Sequence, residues 1–111
     1  MLLANSKKGD FLSMLKDLTC QNFENCLNQV FRLTHDGGTF EVKLIECQKL
    51  NSHGRSEGQR EPFSLIFLGP KQPVLAQRMY NFDLGQLGSF DIFIVPIGPD
   101  SSGMRYEAVF A

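Results

Sequence analysis

The chain has 111 residues, 42% of them apolar, with 11 Lys+Arg against 12 Asp+Glu and a formal charge of −1. That length accommodates one domain and not two. The charge lacks the basic excess of a dedicated nucleic-acid binder, and no stretch approaches the roughly 18 consecutive apolar residues of a membrane-spanning helix.

The three cysteines, Cys20, Cys26 and Cys47, are an odd set, unlike the paired cysteines of a small secreted scaffold. Met1-Leu2-Leu3-Ala4 is followed by Lys7-Lys8 and Asp10, which inverts the basic-then-apolar order of a secretory signal. Both features lead to the expectation of a reducing, cytoplasmic setting.

Residues 1–28 read as an arm with helical turns. Asp10 can cap a short helix carrying Phe11, Met14, Leu15 and Leu18 at i, i+3, i+4 and i+7. A second turn is expected from Asn22, with Phe23, Cys26 and Leu27 on one side.

From residue 29 the period changes to two, and residues 29–111 read as one antiparallel β unit. Phe31 and Leu33 alternate with Arg32 and Thr34; Phe40, Val42 and Leu44 alternate with Glu41 and Lys43. Between them Asp36-Gly37 supplies the positive φ angles of a tight hairpin, predicting strands over about 29–35 and 38–49. After Leu44 the apolar positions slip to Ile45 and Cys47, the mark of a β-bulge. Residues 51–61 contain no apolar side chain and read as a solvated loop.

Pro62 opens a strand that is apolar on both faces through Leu68, predicting a central position, and Gly69-Pro70 ends it. Tyr80, Phe82 and Leu84 mark a half-buried strand, and the turn Gly85–Gly88 leads to Phe90, Ile92 and Ile94. Pro96 is expected to stop regular ladder pairing or to lie at an edge. A turn over 98–103 precedes a last strand with Met104, Tyr106, Ala108 and Phe110 inside and Arg105 and Glu107 facing water. The fold class is therefore mainly β: a six-stranded antiparallel small barrel or sandwich behind a short N-terminal helical segment.

No catalytic constellation is evident. Cys47 lies between Glu46 and Gln48 on a strand, while His35 and His53 fall in turns, so Cys47 reads as a small buried hydrophobe. Cys20 and Cys26, and His35 and His53, lack zinc-ligand spacing, so neither a metal nor a cofactor is expected. The polar residues of most interest are Arg55, Arg60, Glu61, Arg105 and Glu107, a candidate interaction surface. Arg60 and Glu61 open the central strand. Arg105 and Glu107 share one face of the last, so the four would form a charge ladder if those strands were neighbours.

The residues Arg60-Glu61-Pro62-Phe63-Ser64-Leu65-Ile66-Phe67, Gly69-Pro70, Gln77, Tyr80, Leu87-Gly88, Phe93 through Asp100 and Tyr106 through Phe110 follow a specific order and spacing. On them the stretch from Phe31 to Phe110 resembles an uncharacterised bacterial family, one of the domains of unknown function. The chain departs from that pattern at Arg78-Met79, where a Gly and a small residue are usual, and at Phe82-Asp83, near where a His is common. The resemblance implies a stand-alone β domain without assigned activity, whose relatives sit near proteins similar to phage-tail components. The expected function is a non-enzymatic structural or protein-interaction domain, accessory to a phage-tail-like assembly. The expected partner is another protein or a second copy of the chain, bound through an edge strand or the 51–61 loop, with no nucleic acid and no membrane. The alternative is a barrel holding an apolar small ligand among Phe63, Phe67, Phe90 and Tyr106.

Overall fold

A computed structural model of the protein describes residues 15–50 and 61–111. Asp10, Phe11, Met14, His53, Arg55 and Arg60, and with them the first predicted helix start and nearly all of the polar loop, lie outside the described residues.

Six strands carry the fold: β1 (Val30–His35), β2 (Gly38–Lys49), β3 (Phe63–Gly69), β4 (Arg78–Asp83), β5 (Ser89–Asp100) and β6 (Gly103–Phe110). They close into an antiparallel barrel in the order β1-β2-β3-β6-β5-β4, which settles the choice between barrel and sandwich. The β1–β2 hairpin forms around Asp36 and Gly37, both at positive φ (48° and 79°). The seam is short: β1 and β4 pair only through Arg32↔Asp83, Leu33↔Phe82 and Thr34↔Asn81.

The two-residue period decides what lies inside. Leu33, Leu44, Leu65, Phe67, Phe82 and Ile94 are fully buried and form one cluster with the other inward positions. Phe67 and Phe82 meet across the interior at 5.1 Å. The interior is thus filled by side chains, as a barrel of this size allows. β3 is buried on both faces, Ser64 and Ile66 included, in keeping with its doubly apolar sequence.

The ladder between β2 and β3 shifts register between Leu44 and Glu46, the bulge announced by the slipped alternation. Regular pairing stops at Pro96, as expected, while the strand itself continues. β5 runs through it to Asp100, with Pro96 opposite Tyr106 and a register shift between Pro96 and Gly98. A shifted ladder has no regular bond for the missing N–H to break, so the proline is accommodated at an irregularity within the strand.

Ahead of the barrel, Leu15–Asp17 make a 3-10 turn and Cys20–Glu24 the single α-helix, α1. The helix starts two residues before the expected Asn22. Thr19 caps it: its hydroxyl accepts from the Asn22 N–H at 3.3 Å, while its own N–H donates to Asn22 Oδ1 at 2.8 Å. Phe23 points into the barrel and Cys26 is half-buried, but Leu27 is exposed because the helix has already ended and 25–28 is a turn.

Candidate functional site

The predicted polar residues do not assemble as one ladder. β3 and β6 are neighbours, but their register sets Phe63 opposite Phe110. Arg105 and Glu107 therefore lie beside Leu68 and Ile66, while Glu61 precedes the strand start, about 17 Å away at ~3.3 Å per residue. Glu61 reaches Lys49 at 4.0 Å instead. Arg105 is held by Glu46 at 3.4 Å and lies 3.8 Å from Asp100. Arg105 and Glu107 lie on the outer face of β6, as expected, but are half-buried there.

The sulfur chemistry is muted. Cys47 is half-buried, and its Sγ donates to the Cys20 carbonyl at 3.5 Å, tying β2 to α1. Burial first, then the Cys20 thiol and the charge of Glu24, push the Cys47 thiol up to about 12, so its thiolate is scarce at neutral pH. His35 packs edge-on against Tyr80 at 5.5 Å, with Nε2 2.9 Å from Asp36 Oδ2. Among the described residues no three His, Cys, Asp or Glu side chains converge as a metal site would require. No helix among them is long and apolar enough to cross a membrane.

The distinctive surface lies at the barrel mouth opposite α1, and it follows from a mismatch of strand lengths. β2 has 12 residues and β3 only 7. Their ladder runs from Lys49↔Phe63 to Lys43↔Leu68 and stops. Beyond it β3 reaches Gly69 and then Pro70, which has no N–H to continue the pairing. The first part of β2, Gly38–Glu41, thus has β1 on one edge and, among the described residues, no strand on the other, with Pro70 following β3 beside Glu41.

Which backbone groups are left open follows from the alternation of an antiparallel ladder. Leu44 turns both of its groups toward the β1 side: its N–H donates to the Gln29 carbonyl at 3.0 Å and its carbonyl accepts from Asn28 at 2.7 Å. Lys43 accordingly faces β3. Two and four residues back, Glu41 and Thr39 face the same way, where no strand stands.

A groove of about 610 Å³ runs along this free edge, bordered by Thr39–Val42, Pro70, Pro73 and, at its floor, Leu75 and Tyr106. A shallower hollow of about 340 Å³ continues it past Lys43 and Ser102. The far wall is the loop 70–77, held across the mouth by two tyrosines. Tyr106 Oη accepts from the Leu75 N–H at 2.8 Å, and Tyr80 Oη donates to the Ala76 carbonyl at 2.8 Å. Burial raises the Tyr80 hydroxyl above its ordinary pKa, so it stays a donor. Gly69 allows the close approach here, since a Cβ on it would lie 3.3 Å from Val42 Cγ1 and 3.4 Å from Tyr106 Cε2.

Charge is uneven around the groove. Arg32 stands 3.9 Å from Glu41, its cross-strand neighbour. Lys43 has no ion-pair partner among the described residues, and Lys71 is exposed on the loop beyond Pro70.

Thr39, Glu41 and Leu75 were not among the residues singled out from sequence, whereas Tyr106 was, as one wall of a cavity for an apolar ligand. The usable signal was the difference between a 38–49 strand and a partner stopped by Gly69-Pro70. The loop 70–77 has no periodicity to reveal that Tyr106, 31 residues from Leu75, helps the nearby Tyr80 to hold it.

The model of one protein family, described as Domain of unknown function (DUF6916), matches residues 18–110. No curated protein and no solved structure matches the chain.

Proposed function

Since the chain belongs to this family of unknown function, its role must be read from the groove, and we propose that it is a non-enzymatic protein-interaction domain that binds an extended segment of another protein beside β2. The carrying observation is the open edge at Thr39 and Glu41, next to a groove of about 610 Å³. A barrel otherwise closes its edges. An edge left open beside a hollow offers backbone hydrogen bonds for affinity and a recess for side chains, the two components of recognition by strand addition. The high pKa of the Cys47 thiol supports a binding role over catalysis by that cysteine. The bacterial, phage-tail-like setting is supported by the sequence resemblance, and the cytoplasmic one by the odd cysteine count and the order of residues 1–10.

Thr39→Pro tests this reading, because it removes the outward N–H while leaving the β1 ladder its bonds. The expected result is an intact barrel by circular dichroism that fails to retain proteins held by the wild type in a cell-extract pull-down. A folded Thr39→Pro protein that retains the same proteins would overturn the reading. A variant lacking residues 52–59 serves as the comparison for docking through the polar loop.

Of the four aromatics expected around a ligand cavity, Phe63, Phe67 and Phe90 belong to the core cluster, and Tyr106 alone borders a hollow lined by the described residues. An apolar small ligand would have to compete for the same groove, and a raised unfolding midpoint with lipids or aromatics would reveal it.

A further inference from the structure

We infer that the outer wall of β4 and β5 is a second docking surface, fitted to a basic amphipathic helix of a partner protein; it is separate from the β2 edge and goes beyond that reading. An antiparallel strand with one wet face alternates apolar and polar side chains. β5 departs from that rule: Phe90, Ile92 and Ile94 are buried inside, while Phe93 and Val95 on the opposite face are apolar too. β3 is also apolar on both faces, but there both faces are covered. On β5 the outer face is left open. Phe93 keeps 46% of its surface exposed and its register partner Met79 keeps 54%. Val95 is half-buried beside them, and Ile97, exposed at the register shift, continues the line. Cross-strand neighbours such as Met79 and Phe93 stand about 5 Å apart, so these side chains form one stripe rather than scattered singles.

The stripe lies on the face of a sheet and not at an edge: Met79 pairs with Phe93, and Val95 with Glu107. A partner there meets side chains alone and must satisfy its own backbone, which a helix does while laying down an apolar face. Charge decides what flanks that helix. Asp91, two residues before Phe93 on the same face, and Glu107, opposite Val95, stand at the two ends of the Phe93–Val95 segment. Neither has an ion-pair partner among the described residues. Asp91 is fixed in place by Asn81, whose Nδ2 donates to its Oδ1 at 3.0 Å. β5 carries no cation, and those of β4 and β6 are engaged elsewhere. Arg105 is shared between Glu46 and Asp100, and Arg78 alternates to the side of Tyr80, whose hydroxyl feels its charge. A nucleic acid or an anionic membrane would be repelled, and a second copy set face to face would bring the same unpaired carboxylates into the contact. A helix with Lys or Arg beside its apolar stripe gains ion pairs at both ends. Asp91 and Val95 are four residues apart, about 13 Å of strand, which a helix covers in about nine residues.

The probes are two fluorescent helical peptides about 18 residues long, with the same leucine stripe flanked by lysines in one and by glutamates in the other, titrated by anisotropy into the full chain at low salt. The lysine peptide is expected to bind about tenfold more tightly, and added salt should narrow the gap. Phe93→Ser and Met79→Ser, both at exposed positions, should keep the circular dichroism of the wild type and each weaken the lysine peptide severalfold. Asp91→Asn with Glu107→Gln should remove the preference. The same loss of charge at the α1 end, Asp17→Asn with Glu24→Gln, should preserve it, as should Thr39→Pro at the β2 edge. Equal binding of the two peptides, a preference for the glutamate peptide, or failure of both at roughly 1 mM overturns the proposal. So does lysine-peptide binding that survives both serine variants in folded protein, or a preference that falls equally when charge is removed at the α1 end. Loss of binding in folded Thr39→Pro moves the peptide to the β2 edge and overturns the second surface while leaving docking at that edge standing.

Discussion

At one end of the barrel three phenylalanines close the core. Phe63 and Phe110, register partners on β3 and β6, stack at 4.7 Å with their rings nearly parallel, and Phe23 of α1 packs against both at 5.6–5.8 Å. At the other end two tyrosines hold a loop by one hydrogen bond each and leave a groove beside it. Ring packing has little directional demand and fills space, so it seals. A tyrosine hydroxyl fixes a backbone at one point and fills no space beyond its ring, so the mouth is defined without being filled. The sealed end and the grooved end of this domain are thus made from the same residue class, separated by a hydroxyl group.

Substitutions at the two ends should differ in size and in what they disturb. Phe23→Ala should be the most damaging, lowering stability by about 3–5 kcal/mol in denaturant unfolding, because a filled interior cannot collapse around the lost ring. Gly103→Ala should cost about 1–3 kcal/mol. At φ +158° its added Cβ would run into the Gly69 carbonyl, where the β5–β6 turn meets the end of β3.

Tyr106→Phe should cost about 1–2 kcal/mol by leaving the buried Leu75 N–H without its acceptor. It should also weaken retention of proteins in the pull-down, since that bond holds the far wall of the groove. Tyr80→Phe serves as its milder counterpart, because Ala76 is exposed and water can replace the lost donor.

The smallest expected effect is one of pH at the α1 end. The folded state holds the Cys47 thiol protonated to about 12, against 9.0 for an ordinary thiol. The folded chain therefore retains a proton that the unfolded chain releases. The resulting stability is full below pH 9 and declines as pH rises toward 12. Thermal unfolding between pH 7 and 11 should show a shallower alkaline decline in Cys47→Ala than in the wild type. The remaining slope belongs to Cys26 and Tyr80, whose protons burial also holds. Identical slopes in the two proteins would contradict this assignment.

The part of the fold legible in sequence is the part written locally. Asp36-Gly37 specified the hairpin, the slipped alternation after Leu44 specified the bulge, and the doubly apolar run 63–68 specified the central strand. What escaped depends on which strands become neighbours and at what offset. Arg105 meets Glu46 across 59 residues of sequence, and Leu75 meets Tyr106 across 31. No periodicity encodes either pairing, and a one-residue change of register would break both. Pro96 announced the break in regular pairing, but not that β5 resumes beyond it at a shifted register. The groove is an intermediate case: its cause, Pro70 ending one strand beside a longer one, was visible, while its floor was not.

The free edge of β2 is open to residue-by-residue measurement. Amide hydrogen exchange followed by NMR should alternate along it, with Phe40 and Val42 protected by their bonds to β1 and Thr39 and Glu41 exchanging quickly. Addition of a protein retained in the pull-down should slow Thr39 and Glu41 selectively. Uniform protection across these four amides in the free protein would show that the edge is already occupied, and would contradict the account at its root.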